Sequence, residues 1–254
     1  MHHDGGPVVA VLAPMASELR PVVRAAGLRR APAIEPVRAG RSAAVHEPFV
    51  AYEGDVGTTR VVAMRTGIGT AISTAATHAV LEHHDVVHVV VVGIAGAVGP
   101  AHPLGDRIAP ARVIDSRSGE AYAPHPLGAP GPAPSGSLLT GDELIRDRAR
   151  LAELELGGVV ALDMETAAVA AVCEARQVPW SVSRAISDLA DDDAIDDEVG
   201  ALSHPDGTPD LAAVGRYLLR GPWRARHLAR LGRQMQVAAR VAAEAAVAGI
   251  RQRD

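Results

Sequence analysis

The sequence predicts an α/β fold: a single domain of three layers (α/β/α), in which helices cover both faces of a central, twisted, mixed sheet. Short valine-rich runs alternate along the chain with alanine-rich stretches of helical character. The run Val86–Gly93 is continuous and mostly β-branched, which is typical of a strand buried on both faces. The alternation of the two kinds of segment favours a largely parallel or mixed sheet over a purely antiparallel one.

Each predicted strand is a short apolar run. Beside Val86–Gly93, strands are expected at Val8–Leu12, Thr59–Met64, Arg107–Ile114, Val159–Asp163 and Trp180–Ile186. Helices are expected where alanine and leucine recur between these runs, at 17–26, 70–82 and 166–176. Residues 124–134, rich in proline and glycine, the acidic run 188–198 and residues 205–209 are expected to be loops.

Two further helices are expected near the end of the chain, at Leu211–Leu219 and Arg224–Ala248, separated by Gly221-Pro222. They form an extended C-terminal helical part at about 205–250 of one domain that spans residues 1–254.

Composition excludes several classes of function. All 25 basic residues are arginine, and the absence of lysine excludes a lysine Schiff base and the usual phosphate-binding P-loop. A net charge of −5 and 2% aromatic residues argue against a nucleic-acid partner, and the locally basic stretch 226–240 is best explained as a solvated helix face. The apolar runs are too short to span a bilayer, so no membrane partner is expected. A single cysteine, Cys173, and no signal-peptide pattern favour a cytoplasmic location.

Four predicted strands run into polar or glycine-rich segments. In open α/β sheets, ligands bind at the carboxyl ends of the strands. The four segments are Met15–Glu18, Gly93–Ala97, Asp163–Thr166 and Arg184–Asp188. A carboxylate in such a place can accept both hydroxyls of a ribose, and an acid that leaves a buried strand is a candidate general acid. Taken singly, each acid could equally be a helix cap or a first-turn residue.

The order and spacing of several motifs resemble the nucleoside phosphorylase/nucleosidase superfamily. The two specific motifs are Asp163-Met164-Glu165 and, about two dozen residues later, Arg184-Ala185-Ile186-Ser187-Asp188. Weaker matches are Met15 with Glu18, Thr66-Gly67-Ile68-Gly69, Gly93-Ile94-Ala95-Gly96, Gly105-Asp106 and Thr140-Gly141-Asp142. Within the superfamily the chain is most similar to the methylthioadenosine/S-adenosylhomocysteine nucleosidases.

The resemblance implies a role for each residue. Asp188 would give a proton to the purine N7 and Ser187 would steady its carboxyl group. Glu165 would hold the ribose hydroxyls, Met164 would pack on the sugar, and Glu18, with Arg184 nearby, would orient or activate water. The full set of expected site residues is Asp188 and Glu18 as catalytic groups, with Glu165, Met164, Ser187, Arg184, Ile145, Leu144, Met15, Gly93, Ile94 and Ala95 binding substrate. No metal or cofactor is expected, and the resemblance implies a homodimer.

Two departures from the family pattern bear on the reaction and the substrate. Related phosphorylases hold phosphate with an arginine and a serine, where this chain has Val91 and Ile94. Leu144 stands where the nucleosidases carry a phenylalanine that stacks on adenine, so the base would meet an aliphatic wall or recruit Trp180 or Tyr122.

These observations favour hydrolysis of a 5′-modified adenosine with release of adenine. The alternatives are a phosphorylase with a different clamp, in which Arg20 or Arg65 reaches the site, and a nucleosidase for futalosine or an adenosylated hopanoid, which the long C-terminal part resembles. A nucleoside-binding protein without activity is the third, and it would have no need of Asp188 as an acid.

Overall fold

The computed structural model describes residues 6–37, 47–128, 133–189 and 210–253. The strands are β1 (Val8–Ala13), β2 (Arg29–Arg30), β3 (Ala51–Val56), β4 (Thr59–Arg65), β5 (Val86–Ala97), β6 (Arg107–Ile108), β7 (Arg112–Asp115), β8 (Ala121–Tyr122), β9 (Ser137–Thr140), β10 (Val159–Asp163) and β11 (Trp180–Leu189). The helices are α1 (Ala16–Ala26), α2 (Thr70–His83), α3 (Arg148–Leu156), α4 (Thr166–Ala175), α5 (Leu211–Leu219) and α6 (Pro222–Arg251). Residues 129–132 of the proline-rich loop and the predicted loops from residue 190 to 209 lie outside the described residues.

The strands form one mixed sheet, in the order β2-β3-β4-β1-β5-β10-β9-β7-β8, with β11 paired to β5 and to β6. The centre is parallel, since β1 pairs in parallel with β4 and β5, and β5 pairs in parallel with β11. Antiparallel pairs lie at the margins and where β10 crosses the end of β5. The carboxyl ends of β1, β5 and β11 therefore meet at one edge of the sheet.

Helices cover both faces of the sheet, as the sequence predicted. Along β1, Val9 and Val11 pack with α1 and α6, whereas Ala10 and Leu12 face the core under α2 and α4. This period of two follows from strand geometry, and a strand that is apolar on both faces must be covered on both. The result is the three-layer α/β/α arrangement.

The C-terminal helices are both present, and the second runs longer than predicted. The C-terminal half of α6 lies in the core against β5, β11 and α1, through alanines such as Ala238 and Ala242. Helix α5 packs instead on the N-terminal half of α6, in a separate small cluster of Ala213 and Tyr217 with Val214 and Leu228. No helix in the described ranges is long and apolar enough to cross a membrane.

Three predicted strand boundaries were wrong. The expected strand Arg107–Ile114 is two strands, because Pro110 between them has no N–H to contribute to a ladder. Strand β5 continues past Gly93 to Ala97, and β11 continues past Ile186 to Leu189. The two extensions pair with each other, so the glycine-rich segment and Asp188 belong to strands and not to loops.

Several elements were not predicted at all. Strand β3 reads Tyr52-Glu53-Gly54-Asp55 at its centre and is too polar to be recognised alone, but it forms a six-residue antiparallel ladder with β4. Helix α3 is also mostly polar, and its N-cap Asp147 accepts a hydrogen bond from the Arg150 N–H at 2.7 Å. Strand β9 and the two-residue strands β2 and β8 are too short to give a periodic signal.

Candidate active site

A cleft of about 200 Å³ opens at the carboxyl edge of the sheet, where the four polar strand ends converge. Eleven of the twelve predicted site residues line it: Met15, Glu18, Ile94, Ala95, Leu144, Ile145, Met164, Glu165, Arg184, Ser187 and Asp188. The remaining one, Gly93, lies behind the cleft wall. A Cβ at Gly93 would overlap Glu18 Oε1 and Arg184 Nη1, so the absence of a side chain there lets these two groups meet.

Glu18 is a buried carboxyl group held by main-chain donors from two strand ends. Its Oε2 accepts a hydrogen bond from the Met15 N–H at 2.9 Å, which forms the capping box of α1. Its Oε1 accepts one from the Ile94 N–H, also at 2.9 Å. Burial raises the pKa of Glu18, against the opposing effects of Arg184 and the two main-chain hydrogen bonds. Glu18 therefore caps helix α1 and lines the cleft, so the two interpretations of this residue are compatible.

Arg184 lies at the centre of the site and is almost fully buried. Its Nη2 lies 2.7 Å from Asp163 Oδ2 and 3.0 Å from Glu165 Oε2, and its Nη1 lies 3.6 Å from Glu18 Oε1. The Nη1 group also donates to the Ile94 carbonyl at 2.9 Å. Burial alone would lower the pKa of Arg184, but the three carboxyl groups raise it. One guanidinium thus joins three acids from β10, its following turn and α1.

Glu165 is a buried carboxyl group at the start of α4, and it lies between Arg184 and the Gly69 main chain. Its Oε1 accepts a hydrogen bond from the Gly69 N–H at 3.1 Å, and its Oε2 accepts one from Arg184 at 3.0 Å. Burial raises the pKa of Glu165 to about 7. Arg184 and the Gly69 N–H oppose this increase, whereas Asp163 and Glu18 add to it. Each oxygen retains a lone pair, so the carboxylate can still accept two hydroxyl groups.

Asp188 occupies a different setting, half-buried at the end of β11. The pairing of β11 with β5 shifts register between Ile186 and Asp188, and such bulges are common next to active sites because they redirect a side chain. The Ser187 hydroxyl donates a hydrogen bond to Asp188 Oδ1. A Cβ at Gly96 would lie 3.2 Å from Asp188 Oδ2, so a small residue on β5 leaves room for this carboxyl group.

The remaining cleft wall is aliphatic. Leu144 is 49% exposed, and Ile145, Ile68 and Met164 lie beside it along the cleft. The aromatic alternatives raised by the sequence are wrong. Trp180 is fully buried in the core and donates to Glu174 at 2.9 Å, and Tyr122 also lies away from the cleft, with its hydroxyl bonded to Glu120.

Sequence reasoning gave no role to three polar residues that line the cleft: Asp163, Glu143 and Arg146. Asp163 accepts a hydrogen bond from the Thr140 hydroxyl at 2.5 Å as well as pairing with Arg184. Its place beside Met164 was a usable signal. Arg146 and Glu143 lie in an irregular segment before α3, where no periodic pattern indicates which way a side chain points.

Arg20 and Arg65, the two residues that could have supplied a different phosphate clamp, lie elsewhere. They line a separate pocket between α1 and strands β3 and β4, together with Arg24, Arg30 and Tyr52. Neither lines the cleft that contains Glu18. The arginine that does reach the cluster, Arg184, is already paired with carboxyl groups.

Comparison of the sequence with known proteins identifies the family of this chain. Residues 8–139 and 127–204 match the sequence profile of the phosphorylase superfamily. The chain belongs to this superfamily. A 5′-methylthioadenosine/S-adenosylhomocysteine nucleosidase of an Exiguobacterium species is 28% identical over 171 residues, covering 56% of this chain and 73% of the relative. An aminodeoxyfutalosine nucleosidase of Campylobacter jejuni is 29% identical over 153 residues, covering 50% and 67%.

Solved structures of superfamily members share the fold. A 5′-methylthioadenosine/S-adenosylhomocysteine nucleosidase of Neisseria meningitidis, in complex with methylthio-immucillin-A, has a TM-score of 0.66 at 20% identity, covering 96% of this chain and 98% of that one. The corresponding protein of S. pneumoniae, with a transition-state inhibitor, has a TM-score of 0.68 at 17% identity, covering 98% and 100%. At sequence identities this low, the comparison shows that the fold is shared and no more.

Substitution of Gly93 by alanine is expected to disrupt the cluster. The new methyl group would overlap Glu18 and Arg184 in a packed interior, and overpacking of this kind costs about 1–3 kcal/mol. Thermal unfolding should show a lower midpoint. Gly6→Ala is the matched control, since a Cβ there meets nothing within 4 Å. Equal unfolding midpoints for the two variants would contradict the close approach at Gly93.

Glu165→Gln is expected to stabilise the ligand-free protein at alkaline pH. The folded-state pKa of about 7 lies above the ordinary 4.5, so the folded protein keeps a proton that the unfolded chain releases between these values. Wild-type stability should therefore fall as pH rises from about 4.5 to about 7, by an amount on the order of 3 kcal/mol, and glutamine removes this dependence.

Denaturant unfolding of both proteins at pH 5 and pH 8 measures the effect. The variant should gain stability relative to wild type mainly at pH 8. The exposed Glu47→Gln should show no such difference between the two pH values. A variant that is less stable than wild type at pH 8 would show that the ionised Glu165 is a net stabilising group.

Proposed function

We propose that this protein hydrolyses the N-glycosidic bond of a purine nucleoside, a 5′-modified adenosine of the methylthioadenosine/S-adenosylhomocysteine type, and releases adenine. The observation that carries the proposal is the meeting, in one cleft, of Asp188 with the buried cluster of Glu18, Glu165 and Arg184. Acids in contrasting environments can hold different protonation states at one pH, which acid and base steps require. The nucleosidases among the relatives support this choice within the superfamily.

Departure of the base is assigned to Asp188. A purine leaves poorly as an anion, so protonation at N7 as the glycosidic bond breaks lowers the barrier. Asp188 lies near the carboxyl end of β11, and the Ser187 hydroxyl donates a hydrogen bond to its Oδ1, which fixes the orientation of the carboxyl group that delivers the proton. The proton moves from the carboxyl group to N7, and the electron pair of the C–N bond passes to the base.

Stabilisation of the sugar is assigned to Glu165 and Met164. Loss of the base leaves oxocarbenium character on the ribose, and a preorganised carboxylate beside it stabilises this positive charge. Glu165 is held by Gly69 and Arg184, so it need not reorganise during the reaction. In the ionised form it accepts hydrogen bonds from the ribose hydroxyls, while Met164 packs against the ring.

Activation of water is assigned to Glu18. Burial raises its pKa, and this makes the carboxylate a better base than an exposed one. Its two oxygens are oriented by the Met15 and Ile94 main-chain N–H groups, and each can accept one further hydrogen bond. A water between Glu18 and the anomeric carbon gives its proton to Glu18 as its oxygen bonds to the carbon.

Hydrolysis is favoured over phosphorolysis by the groups around β5. The positions at which related phosphorylases clamp phosphate are Val91, which is buried in the core, and Ile94. A phosphate dianion there would lose its hydration without a bidentate partner, whereas a neutral water needs only Glu18. Arg20 and Arg65 line the other pocket, so they provide no substitute clamp at Glu18.

Aminodeoxyfutalosine is a second candidate substrate, because one relative of comparable identity is a nucleosidase for it. An adenosylated hopanoid is a third, raised by the long C-terminal helices. All three keep the chemistry at the base and ribose and differ at the 5′ substituent. Turnover of a panel of 5′-substituted adenosines, with released base detected by chromatography, ranks them by kcat/KM. Failure of every member to release base would reject the proposed function.

We further propose that residues 1–254 act as one domain in the cytoplasm and that the protein is a homodimer. The single cysteine, Cys173, is buried and unbridged, which suits a reducing compartment. Leu144 at the rim of the cleft and Leu104 are large exposed apolar residues that a second subunit could cover. Cell fractionation tests the location, and recovery in an extracytoplasmic fraction would reject it.

Asp188→Asn should lose base release by about 10²–10⁴-fold while nucleoside affinity changes by less than about tenfold. The amide can still hydrogen-bond to the base but cannot supply the proton. Single-turnover kinetics and equilibrium binding of the same nucleoside measure the two quantities separately. Asp55→Asn, on the exposed face of β3, is the control and should behave as wild type. Near-normal turnover by Asp188→Asn would remove this residue from the catalytic role.

Turnover should proceed without phosphate and release a free sugar. The enzyme is dialysed into phosphate-free buffer, and the products are identified with and without added phosphate. Arg20→Gln should have no effect, because Arg20 lies outside the cleft. Accumulation of a ribose 1-phosphate, together with loss of activity on dialysis, would identify a phosphorylase instead.

Light scattering at micromolar concentration should give twice the mass of the 26.3 kDa chain. Because the proposed partner covers the rim of the cleft, Leu144→Asp should favour monomers. Leu156→Asp, an exposed position at the end of α3, should leave the mass unchanged. A fully active monomer would reject the dimer.

A further inference from the structure

The helical hairpin of α5 and the N-terminal half of α6 has a small apolar cluster of its own, apart from the core that the C-terminal half of α6 joins. Along α6, the Ala242 carbonyl accepts a hydrogen bond from Ser183 of β11, and Val237 lies 3.8 Å from a Cβ built at Gly105, which is bonded to Ile186 near the carboxyl end of β11. The helix therefore runs antiparallel to β11. Residues 222–236 precede this contact and extend about 22 Å along the helix axis toward the carboxyl edge of the sheet, at a rise of 1.5 Å per residue.

Large apolar side chains cluster at the tip of this hairpin. Leu219 closes α5 and is 89% exposed, and Trp223 opens α6 and is 60% exposed. Leu218 beside them is 39% exposed, although Ala213 and Tyr217 on the same helix are buried against α6. The hairpin therefore has an apolar seam of its own and presents a second set of apolar residues at its end. A solvated helix face, the explanation given from the sequence, accounts for the arginines but not for these residues.

The same hairpin is the most basic part of the chain. Between residues 211 and 243 there are seven arginines and no acidic residue, in a protein with a net charge of −5. The arginines are Arg216, Arg220, Arg224, Arg226, Arg230, Arg233 and Arg240. Arg216, Arg226 and Arg233 are exposed. The Arg224 guanidinium lies 4.4 Å from the Tyr217 ring centroid and 5.1 Å from that of Trp223, which brings positive charge directly beside the apolar tip.

We propose that this hairpin docks the protein peripherally on an anionic lipid membrane. Leucine and tryptophan beside arginine are the combination that lies in a membrane interface, with the apolar groups in the acyl boundary and the cations at the phosphate groups. Leu219 and Trp223 enter the interface, and Arg216, Arg226 and Arg233 contact the headgroups. The N-terminal end of α6, which points toward the carboxyl edge of the sheet, then faces the bilayer.

Two other occupants fit the hairpin less well. A second copy of the chain would bring one arginine-rich surface against another, which is repulsive unless acidic groups intervene. A nucleic acid would satisfy the arginines but gains little from Leu218 and Leu219, which cannot stack on bases. An anionic bilayer satisfies both the charge and the aliphatic side chains.

This inference goes beyond the proposed function and does not depend on it. The sequence predicted no membrane partner because no segment is long and apolar enough to span a bilayer. Peripheral docking by an amphipathic hairpin requires no spanning segment.

Flotation of the full chain with lipid vesicles tests the proposal. Vesicles of phosphatidylcholine alone are compared with vesicles of phosphatidylcholine and phosphatidylglycerol in equal parts, at low and high salt. The protein should float with the anionic vesicles at low salt, with about tenfold or greater preference over the neutral ones, and high salt should weaken the interaction. Tryptophan fluorescence should shift to shorter wavelength on binding, and Trp223→Phe should remove the shift, since Trp180 is buried in the core.

Two sets of variants separate the apolar and the charged contributions. Leu219→Ser with Trp223→Ser, and separately Arg216→Gln with Arg226→Gln and Arg233→Gln, should each reduce flotation about tenfold or more. The matched controls are Leu156→Ser, which is 90% exposed on α3, and Arg150→Gln, also on α3; both should float as wild type. All of these proteins should keep the unfolding midpoint of wild type. They should also keep its turnover of a small nucleoside in the absence of vesicles, if that activity is present.

Three results would overturn the proposal. The first is wild-type protein that floats with neither vesicle. The second is flotation that the α3 controls reduce as strongly as the hairpin variants. The third is a combination of two observations: the wild type does not bind vesicles, and its mass by light scattering falls when Leu219 and Trp223 are replaced. That result would assign the tip to a second copy of the chain. Retention of RNA by the wild type without flotation would assign the hairpin to nucleic acid and would equally reject the membrane.

Discussion

The pairing of Arg184 with three carboxyl groups is the constraint around which the rest of the site is arranged. A buried guanidinium is costly without partners, and so is a buried ionised acid, so the charge of Arg184 and the charges of the acids compensate each other. The acids come from three places in the chain: Glu18 from α1, Asp163 from the end of β10, and Glu165 from the turn before α4. The cluster therefore holds the first strand-helix unit against two later ones. Burial of Glu165, with the neighbouring charges of Asp163 and Glu18, raises its pKa to about 7 even though Arg184 opposes the increase.

Space for this cluster is provided by β5. Arg184 on β11 pairs in register with Gly93 on β5, and the next partner on β5, Ile94, offers its N–H to Glu18 and its carbonyl to Arg184. Because the main chain makes these bonds, they are available whatever side chain occupies position 94. The unusual isoleucine there is compatible with the same arrangement of charged groups. What it alters is the cleft wall, which it makes apolar where a phosphate would require donors.

The two halves of the C-terminal helix α6 differ in composition and in what they pack against. Its C-terminal half is rich in alanine, and this allows close packing against β5, β11 and α1. Its N-terminal half is rich in arginine and packs with α5. The change occurs near Val237, which is 57% exposed and lies beside Gly105. One continuous helix thus serves as part of the core and as the support of an exposed hairpin.

The sequence by itself determined the class of fold, the central strands and the residues that line the cleft. Runs such as Val86–Gly93 and motifs such as Asp163-Met164-Glu165 are local, and local patterns are what hydrophobic periodicity and motif spacing can reveal. Only the tertiary structure decided what depends on partners distant in sequence. Polar strand β3 exists because β4 offers it a ladder, Trp180 is buried beside Glu174 and not at the base, and Asp163 is tied to Arg184 across 21 residues. The direction in which a side chain points and the extent to which it is buried depend on the neighbours that folding brings together, so a local sequence pattern does not contain them.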